Sequence, residues 1–165
     1  MTLETERLRL RRMTPDDAEF LHELMNEPAF ITNVADRGIS NLTDARRWIA
    51  EKIMPGYERE GFGFNVIELK NIGCPIGICG LVKRESLEDV DIGYSILRAW
   101  CGKGYAYEAA SAVLAYGRNI LGLDRIVGIT SPSNSISIHL LEKLGLHFEK
   151  MVQLPEFERP SMLFG

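Results

Sequence analysis

Two glycines, Gly102 and Gly104, stand between an alternating run, Asp91-Ile92-Gly93-Tyr94-Ser95-Ile96-Leu97, and a helical pattern that begins Tyr105-Ala106-Tyr107-Glu108-Ala109-Ala110. The order reads as strand, glycine loop, helix. Glycine lets the backbone turn tightly and expose its N–H groups, and a helix that starts just beyond adds the positive end of its dipole. Together these features make a place for a phosphate group. Strand-to-helix turns also use glycine for steric reasons alone, so the neighbouring sequence has to decide.

Cys101-Gly102-Lys103-Gly104-Tyr105-Ala106 resembles, at every position but the first, the Q/R-x-x-G-x-G/A pyrophosphate loop of the GNAT family of acetyl-CoA-dependent N-acetyltransferases. Cysteine at position 101 removes a side-chain donor and leaves the backbone amides in place. A second segment, Asn134-Ser135-Ile136-Ser137-Ile138-His139-Leu140-Leu141-Glu142-Lys143-Leu144-Gly145-Leu146, is similar to the N-x-x-S-x-x-x-L-E-K-L-G-F pattern of the family's later helix. The opening, Leu3-Glu4-Thr5-Glu6-Arg7-Leu8-Arg9-Leu10-Arg11, and the segment Ile76-Gly77-Ile78-Cys79-Gly80-Leu81 resemble the branch that includes RimJ/RimL-type ribosomal-protein N-terminal acetyltransferases. The likeness covers nearly the whole chain and is weakest between Ala29 and Phe62 and over the final residues. It identifies the acetyl donor better than the acceptor.

The resemblance implies an α/β (α+β) fold, a single domain over residues 1–165. Its mixed, mainly antiparallel twisted sheet would have about six to seven strands, helices on both faces and a splayed parallel strand pair that forms the CoA cleft. Acetyl-CoA is the implied cosubstrate, with no metal. Ile96 and Leu97 would meet the pantetheine arm and the acetyl carbonyl through their backbones, while Cys101, Gly102, Lys103, Gly104, Tyr105 and Ala106 surround the pyrophosphate. Asn134 would bond the arm from the far side.

The implied reaction is direct attack of an uncharged amine on the thioester in a ternary complex. It needs a base for the ammonium, donors for the developing oxyanion and a proton for the leaving thiolate. Ser137 takes the place of the family serine near the sulfur, where a hydroxyl passes a proton; the other reading is a helix-terminal hydroxyl bonded to nearby backbone. For the base, Asp91, Glu85, Glu88 and Glu68 lie on or near the cleft-forming strands. Asp91 directly precedes Ile92-Gly93-Tyr94, either as the base or as a structural carboxylate of the sheet. His139 falls on a different helical face from Ser137, Tyr94 and Tyr105 read as packing residues with hydroxyls at the rim, and Trp48 and Trp100 read as core. The expected partner is an amine acceptor, either a protein N-terminal α-amine or a small amine or amino acid, and a homodimer is an open option. A GNAT-like domain that binds CoA or acyl-CoA without turnover, as a sensor or scaffold, is the alternative of another class.

The elements that must position these residues can be read from composition and pattern. A chain of 165 residues, 45% hydrophobic and 25% charged, has ordinary globular composition and fills one core. Its net charge of −4 argues against a nucleic-acid partner, which calls for a basic stripe. No apolar run approaches the roughly 20 residues that span a bilayer, and Met1-Thr2-Leu3-Glu4 has no secretory pattern, so a cytoplasmic location and no membrane partner are expected. Cys74, Cys79 and Cys101 form no C-x-x-C pair, which gives no disulfide framework and no zinc pattern.

Period two places Arg7, Arg9 and Arg11 on the polar side of one opening strand, between Leu8 and Leu10. Thr14-Pro15-Asp16-Asp17 caps a helix that runs to Asn26 and that Glu27-Pro28 stops. After a polar loop from Asn33 to Leu42, a second helix begins at Thr43 and ends near Met54-Pro55-Gly56. Alternating apolar residues predict a hairpin over Phe64–Leu69 and Ile76–Val82, then the strand that enters the glycine loop. A helix to Gly122, a strand over Arg125–Thr130, a helix from Asn134 to Gly145 and strands at His147–Val152 and Ser161–Phe164 complete the order β-α-α-β-β-β-α-β-α-β-β.

Overall fold

A computed structural model describes residues 2–165. The alternating runs become strands of one eight-stranded sheet: β1 (Thr2–Glu4), β2 (Leu8–Arg12), β3 (Phe64–Leu69), β4 (Cys74–Val82), β5 (Val90–Ile96), β6 (Ile126–Thr130), β7 (Phe148–Val152) and β8 (Ser161–Phe164). The spatial order is β1-β2-β3-β4-β5-β6-β8-β7. Every neighbouring pair is antiparallel except β5 and β6. That parallel pair holds register only over Val90↔Ile126, Asp91↔Val127 and Ile92↔Gly128, although β5 continues to Ile96 and β6 to Thr130. Beyond the last pair the two strands part, and the backbone edge of β5 toward β6 loses its ladder.

Helices α1 (Ala18–Met25), α2 (Pro28–Asn33), α3 (Leu42–Trp48) and α4 (Met54–Glu60) cover one face, where Leu21, Leu24, Ile49 and Tyr57 share a core with Val66, Ile78 and Leu97. Helices α5 (Tyr105–Asn119) and α6 (Ser135–Lys143) cover the other, where Ala109, Ala110, Val113 and Leu141 pack on Leu8, Ile67, Leu81 and Ile92. Each buried Leu or Ile side chain contributes about 1.5–3 kcal/mol, so both faces hold the sheet firmly. Among the described residues, no helix is long and apolar enough to cross a membrane.

Strand β5 shows how alternation assigns sides. Ile92, Tyr94 and Ile96 join the core under α5 and α6, so Asp91, Gly93 and Ser95 face the side of α1 to α4. Each β5 residue therefore belongs to one side of the gap.

Three features depart from the expected elements. The opening segment is a hairpin, with β1 and β2 paired through Thr2↔Arg11 and Glu4↔Arg9, and residues 5–7 form its turn. Pro28 stops one helix and starts another: its missing N–H costs nothing at a first helical position, and α2 follows directly. The second long helix does not end at Met54-Pro55-Gly56. Residues Ile49–Ile53 open into a wider π-type turn that accommodates Pro55, and α4 runs on to Glu60, where Gly61 turns left-handed at φ +77°.

Candidate active site

The loop after β5 is shaped by its glycines. Leu97 N–H donates to Ile76 O at 2.8 Å, and a short turn over Arg98–Trp100 brings the chain to Cys101. Gly102 and Gly104 then adopt φ +76° and +82°, the left-handed region closed to most side chains. Gly104 immediately precedes α5, and its carbonyl accepts the N–H of Glu108 at 3.1 Å. The amides from Gly102 through Ala106 donate to no group among the described residues. Unpaired N–H groups at a helix start, in a left-handed loop, form a cradle for an anion. They fit a pyrophosphate with no side-chain donor at position 101.

Behind this loop is a polar clamp that period two did not predict. Arg7 lies in the β1–β2 turn rather than on a solvated strand face. Its Nε donates to Glu108 Oε2 at 2.7 Å, its Nη1 to Lys103 O at 3.0 Å, and its guanidinium stacks 4.5 Å above the Tyr105 ring. Thr5 Oγ1 donates to Glu108 Oε1 at 2.6 Å, and the Arg7 N–H reaches the same oxygen at 2.9 Å. Burial pushes the Glu108 carboxyl up, but these donors outweigh it and hold the group below its usual range. The first turn of α5 is therefore tied to the N-terminal hairpin from the side away from the exposed amides. Arg11 is likewise engaged, bonded to Asp17 at 2.7 Å and Glu68 at 2.8 Å.

Cys101 is exposed, and its thiol points back to the carbonyls of Ile96 and Leu97 at 3.6 and 3.5 Å. Partial burial, with the charge of Glu27 nearby, raises its pKa and disfavours the reactive thiolate. Leu97 itself is buried in the core under α1 to α4. Lys103 is exposed, and Tyr105 and Ala106 are half-buried at the start of α5.

Across the gap, Ser137 on α6 meets β5. Its Oγ is 2.9 Å from Tyr94 Oη, and its N–H is capped by Asn134 Oδ1 at 3.2 Å. Asn134 thus orients the first turn of α6 with its carbonyl oxygen. Burial pushes the Tyr94 phenol up to about 12, and the bond to Ser137 works the other way. The phenol remains a proton donor throughout the neutral range. Tyr94 is more than packing: its hydroxyl reaches the one side chain that the sequence pattern placed near the thioester. His139 is exposed.

The acidic candidates scatter. Asp91 is 1% exposed and sits one register pair before β5 and β6 part, on the face opposite Tyr94. Burial raises its pKa, opposed by Arg84, whose Nε donates to Asp91 Oδ1 at 3.0 Å. Glu85 and Glu88 are exposed in the turn between β4 and β5, at the closed end of the gap. Glu68 is held by Arg11 on β3. Only Asp91 of these four is at the root of the gap.

The sequence model described as Acetyltransferase (GNAT) domain matches residues 7–147. The chain is similar to the "Uncharacterized protein YkkB" of Bacillus subtilis (strain 168), at 33% identity over 92% of this chain and 88% of that one. It is similar to the "Uncharacterized N-acetyltransferase p20" of Bacillus licheniformis, at 32% identity over 96% and 88%. The solved acetyltransferase from Agrobacterium tumefaciens str. C58 superposes with a TM-score of 0.83 at 26% identity, over 99% of this chain and 92% of that one. RimL, described as a ribosomal L7/L12 alpha-N-protein acetyltransferase in complex with coenzyme A, superposes with a TM-score of 0.85 over 99% and 96%, and at 14% identity shares the fold.

Proposed function

The chain belongs to the GNAT acetyltransferase family, and on that premise we propose that it moves an acetyl group from acetyl-CoA to the nitrogen of a primary amine. One arrangement supports this reading: β5 and β6 pair only as far as Ile92↔Gly128, the amides of Gly102 to Ala106 in the loop that follows β5 are unpaired, and Tyr94, on the stretch of β5 beyond that pair, shares a hydrogen bond with Ser137 on the helix that follows β6. The amides suit the pyrophosphate, and the free edge of β5 at Gly93 to Ile96 suits the amide-rich pantetheine arm as a substitute strand.

With the thioester in the gap, Ser137 and Tyr94 would supply the proton that the leaving thiolate takes up. The amine would approach from the face of α1 to α4, toward which Asp91 points from β5, one register pair from the gap. A carboxyl whose pKa is raised by burial suits the role of proton acceptor better than an ordinary exposed one. Holding two substrates in line would account for much of the rate. Cys101 has no covalent part in this scheme, and Glu85, a candidate base from the sequence, is exposed in the turn between β4 and β5 and takes no part in it.

The first candidate acceptor is the α-amine of a protein N-terminus, a reading supported by the fold shared with RimL and by the resemblance of the opening segment to that branch. The test is a calorimetric titration with CoA, followed by release of free CoA thiol from acetyl-CoA across a panel of peptide N-termini and small amines. Saturable CoA binding with amine-dependent thiol release is the expected result. Binding without transfer to any acceptor would leave a CoA-binding sensor, and absence of binding would remove the cosubstrate assignment.

A further inference from the structure

Two glycines stand where β5 and β6 part, and each is covered by a side chain from a different element. Gly128 belongs to the last register pair, and a Cβ on it would run into the side chain of Leu141 from α6. Gly93 is the first residue of β5 past that pair, and a Cβ on it would come 2.8 Å from both Cε1 and Cζ of Phe64. Phe64 stands on β3, two strands away, in the register row Phe64↔Gly80↔Gly93. Neighbouring strands lie about 4.8 Å apart, so its ring lies across β4 to reach β5. Neither glycine of the row presents a side chain in its path.

The main chain of Phe64 is fixed from behind. Tyr57 Oη donates to Phe64 O and accepts the Met13 N–H at 2.9 Å. Gly63 packs so closely on the Tyr57 ring that a Cβ there would lie 2.8 Å from its Cε1. The Phe64 side chain packs on the core under α1 to α4 yet remains half-buried, whereas Leu141 is buried in the core on the opposite face. The root of the gap is thus bounded by the paired backbones of Ile92 and Gly128, by Leu141 on the side of α5 and α6, and by Phe64 on the side of α1 to α4.

We propose that Phe64 sets the length of the transferred acyl group, admitting acetyl and turning away longer chains. The inference rests on the acetyl-transfer reading above and adds to it the residue that selects the donor. With the pyrophosphate at the loop after β5 and the arm lying back along the β5 edge, the acyl group is the end of the ligand nearest the last paired residues. Further carbons then have no room in the plane of the sheet, where backbone pairs with backbone, nor toward α6, where Leu141 is packed. The remaining direction is across Gly93, and the edge of the Phe64 ring occupies it. Close-packed side chains yield poorly to added methylenes, so a longer chain loses affinity. Because Phe64 is only half-buried, shortening it opens this direction without emptying the centre of the core.

The test titrates CoA, acetyl-CoA and butyryl-CoA by calorimetry into the parent, Phe64→Leu and Phe64→Ala, with no acceptor present. Free CoA has no acyl group, so each affinity is read relative to it within the same variant, and a thermal melt checks folding. In the parent, butyryl-CoA is expected to bind about tenfold or more weaker than acetyl-CoA. Phe64→Ala should bring the two within about twofold of each other, and Phe64→Leu should fall between. Should the alanine variant fail to fold, the leucine variant carries the same comparison. With an amine acceptor in place, the butyryl-to-acetyl ratio of kcat/KM should move in the same direction as the binding ratio. Equal affinity for acetyl-CoA and butyryl-CoA in the parent would overturn the acyl-length role while the acetyltransferase reading stands, and so would a ratio that neither variant moves. Absence of CoA binding in the parent would overturn that reading instead.

Discussion

The two ends of the proposed reaction path are built differently. On the donor side, the working groups are backbone amides, aimed by two left-handed glycines and one helix start, all within residues 102–106. On the acceptor side, the candidate base is a side chain, Asp91, held by Arg84 from the turn between β4 and β5. The donor cradle is closed from behind by Arg7 and Glu108, so its geometry is set before any ligand arrives. The acceptor side has no such backbone template. A site made of backbone fits one constant ligand, whereas a site made of side chains can change its specificity without disturbing the fold.

The sharpest way to break the contrast is Gly104→Val. At φ +82° a β-branched residue is strained, and its Cβ would come 3.4 Å from Arg7 Nη2, in the clamp. CoA affinity should fall by about tenfold to hundredfold, read by titration beside a thermal melt. A variant that folds and binds CoA like the parent would show that the loop amides are not the phosphate site.

Ser137→Ala tests the middle of the path. The expected effect is a fall of about tenfold or more in kcat, with a smaller rise in the KM for acetyl-CoA. Tyr94→Phe should cost less than the sum of two independent losses when combined with it, because the two hydroxyls share one bond. An unchanged kcat with chemistry rate-limiting would reduce Ser137 to a capped helix-terminal hydroxyl.

Asp91 sharpens the comparison through pH. Burial raises its folded pKa above the ordinary 3.8. The native state therefore holds its proton in a range where the unfolded chain has lost it. The stability this contributes is present below the unfolded value and lost as pH rises through the folded value. In denaturant melts from pH 3 upward, the parent should lose stability relative to Asp91→Asn across that window, whatever constant offset arises from leaving Arg84 unpaired. Parallel curves would mean that the group is not shifted. In kinetics, a base role predicts that Asp91→Asn removes the acidic limb of kcat/KM, whereas a structural carboxylate leaves the limb in place at lower amplitude.

Cys101→Ala should move turnover least of all, because burial disfavours the thiolate and the thiol makes only long contacts to carbonyls. Cys101→Arg or Cys101→Gln should hold or tighten CoA binding by returning a side-chain donor beside the pyrophosphate. Near-complete inactivation by the alanine change with CoA affinity intact would point to a catalytic thiol.

Much of this protein was legible before its fold was seen, and the limits follow physical lines. Gly102 and Gly104, the alternation of β5 and the Asn134–Ser137 cap are local: each rests on residues within a few positions, and local geometry repeats wherever the pattern does. The parallel pairing of β5 with β6 followed from the family pattern. Turn chemistry was less legible. Pro28 and Pro55 both looked like stops, yet one opened a helix and the other was absorbed by a wider turn. A proline's effect depends on which carbonyl it faces, which only the helix geometry reveals.

By itself, the sequence determined the donor half: a strand, a left-handed loop and a helix start are encoded by the conformational preferences of adjacent residues. Tertiary structure decided the rest. Arg7 meets Glu108 across 101 positions, Tyr94 meets Ser137 across 43, and Ser86 meets Glu156 across 70. No periodicity or spacing records such contacts, because they arise only when the sheet order and the helix packing bring distant side chains into the same few ångströms.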